Sequence, residues 1–221
     1  MHTRCLTLFM LPLMIALAPT ASAHRLVVND GSHVDADSAL VVTEPDVSQL
    51  ILHEVDQENQ EVWLTFQGQA GDLIYLQLGV PVIEALTEYH PAVALVGPGL
   101  PAAELSFAIP GGAGAVTFEA ADFQPKFFSE PFTGTESWIY VEETVELPVD
   151  GEYFIVGYHP VSAAGKLWVA FGEKEVFGLP DILAYPDTLR TVRAFHEVSN
   201  EPLGFIPRLF LIVATLLRFL M

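Results

Sequence analysis

The chain has 221 residues and a formal net charge of -19 at pH 7, with 28 acidic and 9 basic side chains. Residues 26–125 contain no lysine or arginine, so this half of the chain would repel DNA or RNA phosphates, which argues against nucleic-acid binding. A hydrophobic fraction of 51% excludes a disordered chain. The acidity is typical of a surface solvated at high ionic strength, with a basic protein partner or divalent cations as alternatives.

Residues 1–23 have the layout of a secretory signal peptide, with an apolar run at 6–17 and the small-residue motif Ala21-Ser22-Ala23. The apolar run is shorter than the roughly 20 residues that a spanning helix requires. We therefore expect export and a mature chain that starts at His24, with a retained N-terminal anchor as the alternative. The only cysteine, Cys5, lies in this segment, so the mature chain would have no disulfide and no thiolate site.

From residue 24 to 178 the sequence predicts strands separated by turns. Short runs rich in β-branched and aromatic residues alternate with Gly, Pro and Asp signals. The predicted strands are 26–28, 39–43, 50–55, 61–67, 72–80, 92–96, 104–109, 115–118, 137–146, 152–158 and 166–171. This pattern is typical of an all-β protein, and we predict a single antiparallel β-sandwich of jelly-roll type.

The last two predicted strands have clear turn signals around them. LPVDG, 147–151, precedes the strand at 152–158, and the Asp-Gly pair supplies the positive φ of a tight turn. A loop follows at 159–165, and a returning strand at 166–171 ends at Gly172. These features predict a hairpin near the end of the sandwich.

The same stretch resembles a known family. LPVDGEYFIVGY and GKLWVAFGE are similar to the last hairpin of bacterial pre-peptidase C-terminal jelly-roll domains, and GQAGDLIYLQL, 68–78, and HPAVALVGPGLP, 90–101, resemble earlier motifs of that family. His90 and Trp168 depart from the family pattern, which has an acidic residue and a tyrosine there. The resemblance covers about residues 60–172 and implies a non-catalytic accessory or carbohydrate-binding module, although one fold hosts many functions.

After residue 178 the pattern changes to helix. We predict a linker at 179–186 and a helix at 187–198 that Asp187 caps. The helix has an apolar stripe and a neighbouring basic stripe, formed by Leu189, Val192 and Phe195 and by Arg190, Arg193 and His196. Either the helix packs on its own domain, or its basic stripe meets anionic lipid headgroups.

The final segment, 203–221, is apolar except for Arg208 and Arg218. Its length is about that of a bilayer span, and Arg218 on the cytoplasmic side would agree with the positive-inside tendency. We predict a C-terminal membrane anchor, with an interfacial helix and a buried helix as alternatives. The predicted organisation is thus a signal peptide at 1–23, a sandwich at 24–178, a linker and helix at 179–202, and an anchor at 203–221.

Two metal sites are candidates. His24 at a mature N-terminus would chelate copper through its α-amine and imidazole, together with a second histidine. The candidates for that second ligand are His33, His53, His90, His159 and His196. In the loop 29–38, the side chains of Asp30, His33, Asp35 and Asp37 would surround a calcium ion, although the EF-hand register fails because Leu40 stands where the glycine is needed.

A third candidate site is aromatic and acidic. In FFSEPFTGTESWIYVEE, 127–143, the side chains of Glu130, Phe132 and Trp138 would form a sugar-binding platform. A carboxylate pair for glycoside hydrolysis is the enzymatic alternative. The sequence has no Gly-x-Ser-x-Gly, P-loop or His-Glu-x-x-His motif.

Together these features predict an exported, non-catalytic accessory or binding protein. It would be anchored on the periplasmic or extracellular face of a bacterial membrane through contacts of residues 187–221 with lipid. The alternatives are a copper-binding sandwich that uses His24 and a carbohydrate-binding module that uses the aromatic segment. No resident cofactor is expected, with copper or calcium as the alternatives and a glycan or basic protein as the alternative partner.

Overall fold

A computed structural model describes residues 24–220. The predicted signal peptide, including Cys5 and the cleavage motif, lies outside the described residues. Within 24–220 the chain forms eleven strands. They are β1 (Arg25–Val27), β2 (Leu40–Val41), β3 (Gln49–Val55), β4 (Glu61–Gly68), β5 (Leu73–Pro81), β6 (Ala92–Gly97), β7 (Gly114–Glu119), β8 (Lys126–Glu130), β9 (Thr135–Glu146), β10 (Gly151–Tyr158) and β11 (Gly165–Phe171).

The strands form two sheets that pack as a sandwich, which confirms the predicted architecture. The six-stranded sheet has the order β1-β3-β11-β5-β9-β8, and the five-stranded sheet has the order β2-β4-β10-β6-β7. The prediction of purely antiparallel sheets is wrong, because β1 pairs with β3 and β2 pairs with β4 in parallel. The chain alternates between the sheets from β1 to β4. The segment that connects β1 to β3 therefore passes through β2 of the other sheet, and the segment that connects β2 to β4 passes through β3, as parallel pairing requires a crossover connection.

The predicted hairpin at 152–171 is also wrong, because β10 and β11 lie in different sheets. The loop between them crosses from one sheet to the other. His159 Nδ1 accepts hydrogen bonds from the backbone N–H groups of Val161 and Ala163, both at 3.3 Å. Ser162 has a φ of 54°, in the left-handed region. These features turn the chain away from β10 instead of back along it.

Two segments differ from the strand predictions in opposite directions. Residues 104–109 alternate in hydrophobicity but form no strand. Their apolar side chains cover the outer face of the five-stranded sheet, where Phe107 contacts Trp63 and Tyr158 with ring centroids 5.2 and 4.9 Å apart. Conversely, β8 forms the edge of the six-stranded sheet although no strand is predicted there. In both segments the partner surface, which the local pattern does not specify, decides the structure.

The core lies between the sheets and consists of inward-facing apolar side chains from both. Side chains such as Leu64, Leu76, Leu95 and Ile155 are completely buried, and each contributes about 1.5–3 kcal/mol of transfer free energy. The hydroxyl of Tyr153 donates to the carbonyls of Pro98 and Val149 at the end of this core. The sandwich is therefore stabilised by the apolar core between its two sheets.

A helix, α1 (Leu179–Phe195), covers the outer face of the six-stranded sheet. It begins eight residues before the predicted Asp187. Asp181 caps its start by accepting a hydrogen bond from Gly178 N at 2.8 Å, and Pro180 occupies the first turn, where it costs no hydrogen bond. Pro186 lies inside the helix, where tertiary packing outweighs its local helix-breaking tendency.

A second helix, α2 (Phe205–Leu220), packs on α1 through a cluster that includes Tyr185, Leu189 and Ala214. Arg218 Nε donates to Leu183 O at 2.7 Å, and Arg218 also pairs with Asp187 at 2.7 Å. No helix within residues 24–220 is long and apolar enough to cross a membrane. The predicted membrane-spanning tail is therefore not found, since the 16 residues of α2 rise about 24 Å and one of its faces rests on α1.

Candidate functional site

A cavity with a volume of about 670 Å³ lies between the outer face of the six-stranded sheet and the two helices. This is within the range of small-molecule sites. The sheet forms its floor, and α1 with Phe210 of α2 forms its roof. The segment 172–177 and the turn between β8 and β9 form its sides. The cavity therefore exists only because α1 and α2 fold back over the sheet.

A β-bulge in β9 determines which side chains reach the cavity floor. Ile139 pairs with Gly79 and Val141 pairs with Leu78, which leaves Tyr140 as the extra residue. Because a bulge shifts the alternation of side chains by one position, odd-numbered residues such as Ser137 face the cavity before it. After it, Glu142 faces the same cavity. Without the bulge, Glu142 would point into the apolar core.

Two polar contacts fix the roof over the floor. Arg25 of β1 pairs with Asp181 of α1 at 3.0 Å. The hydroxyl of Tyr185 donates to the carbonyl of Phe132 at 2.6 Å, which links α1 to the turn between β8 and β9. The N-terminal half of α1 is thus tied to β1 and to the turn between β8 and β9.

The side chain of Arg193 adds further hydrogen bonds between α1 and the turn between β8 and β9. Its buried guanidinium donates to the carbonyls of Thr133, Gly134, Val198 and Glu201. The first two belong to the turn between β8 and β9, and the last two belong to the connection between the helices. A single buried cation therefore joins the three segments that surround this side of the cavity.

The pKa of Glu130 is strongly changed by the position of this side chain in the cavity. Its Oε1 atom accepts a hydrogen bond from Phe132 N at 2.8 Å. Burial, and to a smaller extent the charge of Glu175, raises the pKa of Glu130 to about 7, although the bond from Phe132 N opposes this shift. Glu130 is therefore about half ionised at neutral pH.

A chain of hydrogen bonds links the cavity floor to the end of α1. The carbonyl of Val192 accepts from His196 Nδ1 at 2.8 Å, so Nδ1 carries the proton and Nε2 accepts from the Ser137 hydroxyl at 3.1 Å. The Ser137 oxygen in turn accepts from Trp168 Nε1 at 3.1 Å. Burial lowers the pKa of His196 to about 4, so the imidazole is neutral at physiological pH.

The charge balance of the cavity is acidic. Its lining includes two basic side chains and five carboxyl groups, namely Arg25 and Lys126 and then Glu130, Glu142, Glu173, Glu175 and Asp181. Each cation is already neutralised, since Arg25 pairs with Asp181 and Lys126 with Glu142 at 3.2 Å. The electrostatic potential of the cavity therefore favours a positively charged occupant.

The structure also locates the residues of the predicted copper site. His24 lines the cavity, its Nδ1 atom lies 2.5 Å from the Ser48 hydroxyl, and burial lowers its pKa. Among the five candidate partners, His196 lines the same cavity. Within residues 24–220, no three or more His, Cys, Asp and Glu side chains are arranged to hold a metal ion.

The loop 29–38 uses its carboxylates to fix its own backbone. Asp30 Oδ1 accepts from the backbone N–H and the hydroxyl of Ser32, and Asp35 Oδ1 accepts in the same way from Ser38. His33 Nε2 lies 3.5 Å from Asp30 Oδ1. These contacts account for the Asp and Ser pattern as turn-forming hydrogen bonds, and Asp37 is a further surface position of this loop.

The three residues of the predicted sugar platform are divided by the structure. Glu130 and Phe132 line the cavity, and the Phe132 ring packs edge-on against Phe210 at 5.1 Å. Trp138 points to the other side of β9, where it packs on the interior core and meets Phe127 at 5.4 Å. The aromatic segment therefore contributes part of a cavity and part of the core, and its side chains do not share one exposed face.

Comparison with known proteins adds three partial structural similarities. No family model and no curated protein matches the chain. The pre-peptidase C-terminal domain of a collagenase from Bacillus anthracis has 8% identity and a TM-score of 0.30, and covers 60% of this chain and 93% of its own. This is the domain type that the sequence motifs resemble.

The other two are described as copper-binding proteins. MopE, a secreted protein of Methylococcus capsulatus in which an oxidized tryptophan facilitates copper binding, has 12% identity and a TM-score of 0.24, over 54% of this chain and 71% of its own. CorA, a surface-associated protein of Methylomicrobium album BG8, has 11% identity and a TM-score of 0.27, over 70% of this chain and 99% of its own. TM-scores of this size do not establish a shared fold.

Proposed function

We propose that the protein is an exported, non-catalytic binding module that holds a small organic cation in the cavity beneath α1. The ligand class is an amine or quaternary ammonium group attached to an apolar group. The observation that carries this proposal is a cavity of about 670 Å³ with an acidic lining, in which Glu130 has a pKa near 7. Export is the part of the proposal that depends on the pattern of residues 1–23.

The remaining cavity lining supports this ligand class. Aromatic rings of Tyr75, Phe128, Trp168, Tyr185 and Phe210 line the same cavity as the carboxyl groups. Aromatic faces and carboxylates together are the groups that bind organic ammonium ions, because both present negative charge to the cation. A ligand cation beside Glu130 would favour the ionised carboxylate and lower its pKa. Binding would therefore release a proton near neutral pH.

The hydrogen-bond chain supports a role in binding over a role in catalysis. Ser137 and His196 have the spacing of a nucleophile and its base. A general base is most effective when its pKa lies near the working pH, and the pKa of His196 is about 4. The Ser137 oxygen also accepts from Trp168, which holds it as part of the floor. This chain orients the cavity wall and leaves the Ser137 hydroxyl unactivated.

A copper ion is the second candidate occupant. What favours it is that His24 and His196 line the same cavity as Glu130, so imidazole and carboxylate donors share one space. Calorimetric titration with Cu(II) tests this, with His24→Ala as the variant. Saturable binding that the substitution abolishes would support the copper site, and absence of binding would remove it.

The organic-cation proposal is tested with three probes of nearly equal size and different charge. These are 2-phenylethylamine, 2-phenylethanol and phenylacetate, each titrated calorimetrically at pH 8. We expect the amine to bind best, with an affinity in the millimolar range because it has few atoms. We expect phenylacetate to bind least, because the cavity is acidic.

The matched variants are Glu130→Gln and Glu104→Gln. Glu104 lies exposed over the other sheet, outside the cavity lining, so its substitution controls for the general loss of one negative charge. Weaker amine binding in Glu130→Gln alone supports the proposal. Equal affinity for the amine and the acid would contradict it, as would equal losses in both variants.

A further inference from the structure

The outer face of α2 is an apolar surface that the fold leaves uncovered. Phe205, Ile212, Leu216 and Phe219 are 79%, 56%, 47% and 88% exposed. With Leu209 they follow the spacing i, i+4, i+7, i+11 and i+14, which places them on one stripe of a helix with 3.6 residues per turn. The opposite stripe packs on α1 and includes Pro207 and Ala214.

This surface is wider than a single seam of side chains. Ile206 and Leu220, which are also exposed, lie on the same side of the stripe, so the apolar arc spans roughly 140° at about 100° per residue. A contiguous surface of this kind marks an interaction site.

The charge of α2 is opposite to that of the rest of the protein. The chain has 28 acidic side chains, but none of them lies in residues 205–220. Arg208 is exposed at the border of the stripe, and Arg218 near the end of the helix is tied to Asp187. This helix therefore presents an apolar face flanked by positive charge, which is the pattern of helices that lie in the membrane interface.

We propose that α2 docks the protein on an anionic lipid surface, with its exposed apolar face inserted among the acyl chains and Arg208 at the headgroups. A second copy of the chain fits this surface less well. It would bring the same helix, which has no carboxylate, against Arg208, and a pair of helices would cover a narrower seam than the arc found here. Anionic headgroups supply the missing negative charge.

The acidic body of the protein does not prevent this docking at physiological salt. The Debye length at 0.15 M is about 8 Å, so acidic groups on the far side of the sandwich act weakly on the lipid surface. The face of α2 that packs on α1 holds the helix parallel to the surface of its own domain. Insertion of the outer face therefore requires no unfolding.

The test is co-sedimentation of the exported full chain with vesicles at 0.15 M salt. One set of vesicles contains phosphatidylcholine and phosphatidylglycerol in a 70:30 ratio, and the other contains phosphatidylcholine alone. We expect the variant Ile212→Gln/Leu216→Gln to bind the anionic vesicles at least tenfold more weakly than the unmodified chain. Arg208→Gln is expected to weaken binding about fivefold, and only to the anionic vesicles.

The matched control is Leu73→Gln, since Leu73 is 68% exposed on β5, away from α2, and its substitution is expected to leave binding unchanged. Circular dichroism melts check that all variants fold. Equal vesicle binding by the double variant and the unmodified chain would overturn the proposal. Sedimentation velocity provides the other contrary outcome, namely a dimer that the double variant disrupts in a chain that does not bind vesicles.

Discussion

Substitution of Glu130 by Gln should change how the stability of the protein depends on pH. Gln keeps the size of the side chain and an oxygen that accepts from Phe132 N, but it cannot ionise. The pKa of Glu130 is raised from 4.5 to about 7 in the folded protein. The protonated form is therefore favoured by folding, so the stabilisation is fully present below pH 4.5 and is lost as the pH rises through about 7.

The magnitude follows from the size of this shift. At about 1.36 kcal/mol for each pH unit, the interval from 4.5 to about 7 corresponds to roughly 3 kcal/mol. Because Glu130 is partly exposed to solvent, we expect about half of this value. The unmodified protein should therefore lose about 1.5 kcal/mol relative to Glu130→Gln between pH 4.5 and pH 8.

Urea unfolding followed by tryptophan fluorescence, repeated from pH 4.5 to 8.5, measures this difference directly. The free energy of unfolding of the variant minus that of the unmodified protein should rise with pH, with its midpoint between 4.5 and 7. A difference that is flat across this range would refute the account of Glu130. A difference that falls with pH would show that the carboxylate is stabilised by folding, as it would be beside a cation.

Three further substitutions test the surroundings of the cavity. His196→Gln should make the stability of the protein less sensitive to acid, because the pKa of His196 is lowered from 6.5 to about 4 in the folded protein. The contribution of His196 to the free energy of unfolding is therefore present above pH 6.5 and is lost as the pH falls through 4. Thermal melts at pH 7 and pH 4.5 measure this effect, and an unchanged acid sensitivity would contradict it. Arg193→Lys should lower the free energy of unfolding, measured by urea titration, by about 2 kcal/mol or more, since an ammonium group cannot reach all four carbonyls. The control variant Arg190→Lys, on the exposed side of α1, should have little effect in the same titration. Gly79→Ala should cost about 1–3 kcal/mol, because the added Cβ would lie 2.1 Å from Trp168 Cζ2; full stability of that variant would show that Trp168 moves freely.

The sandwich was predictable from the sequence because most of its strands have their own local signal. In β4 the alternation of Val62, Leu64 and Phe66 marks the buried face. The pairing of strands was not predictable, as β10 and β11 show. Their sequences match a hairpin, but the loop that begins at His159 carries the chain into the other sheet. Local pattern indicates a strand, whereas the choice of partner depends on the whole core.

The cavity was only partly predictable, because contacts distant in sequence create it. Glu130 and His24 were both candidates, but for different sites. Ser137 and His196 are 59 residues apart, and they meet only because α1 folds back over the sheet. The segment 179–186, predicted as a linker, forms the first part of α1. Ser137 lies within the aromatic and acidic segment 127–143, but nothing in that segment indicates that its hydroxyl pairs with His196.

The most direct test of the proposed function is the affinity for 2-phenylethylamine at pH 6 and pH 8, measured by calorimetry. A carboxyl group with a pKa near 7 is about one-tenth ionised at the lower pH and about nine-tenths ionised at the higher one. Binding of the cation to ionised Glu130 therefore predicts roughly tenfold tighter binding at pH 8, and little pH dependence in Glu130→Gln. The same affinity at both pH values in the unmodified protein, or an equal pH dependence in the variant, would contradict the proposal that Glu130 binds a cation in this cavity.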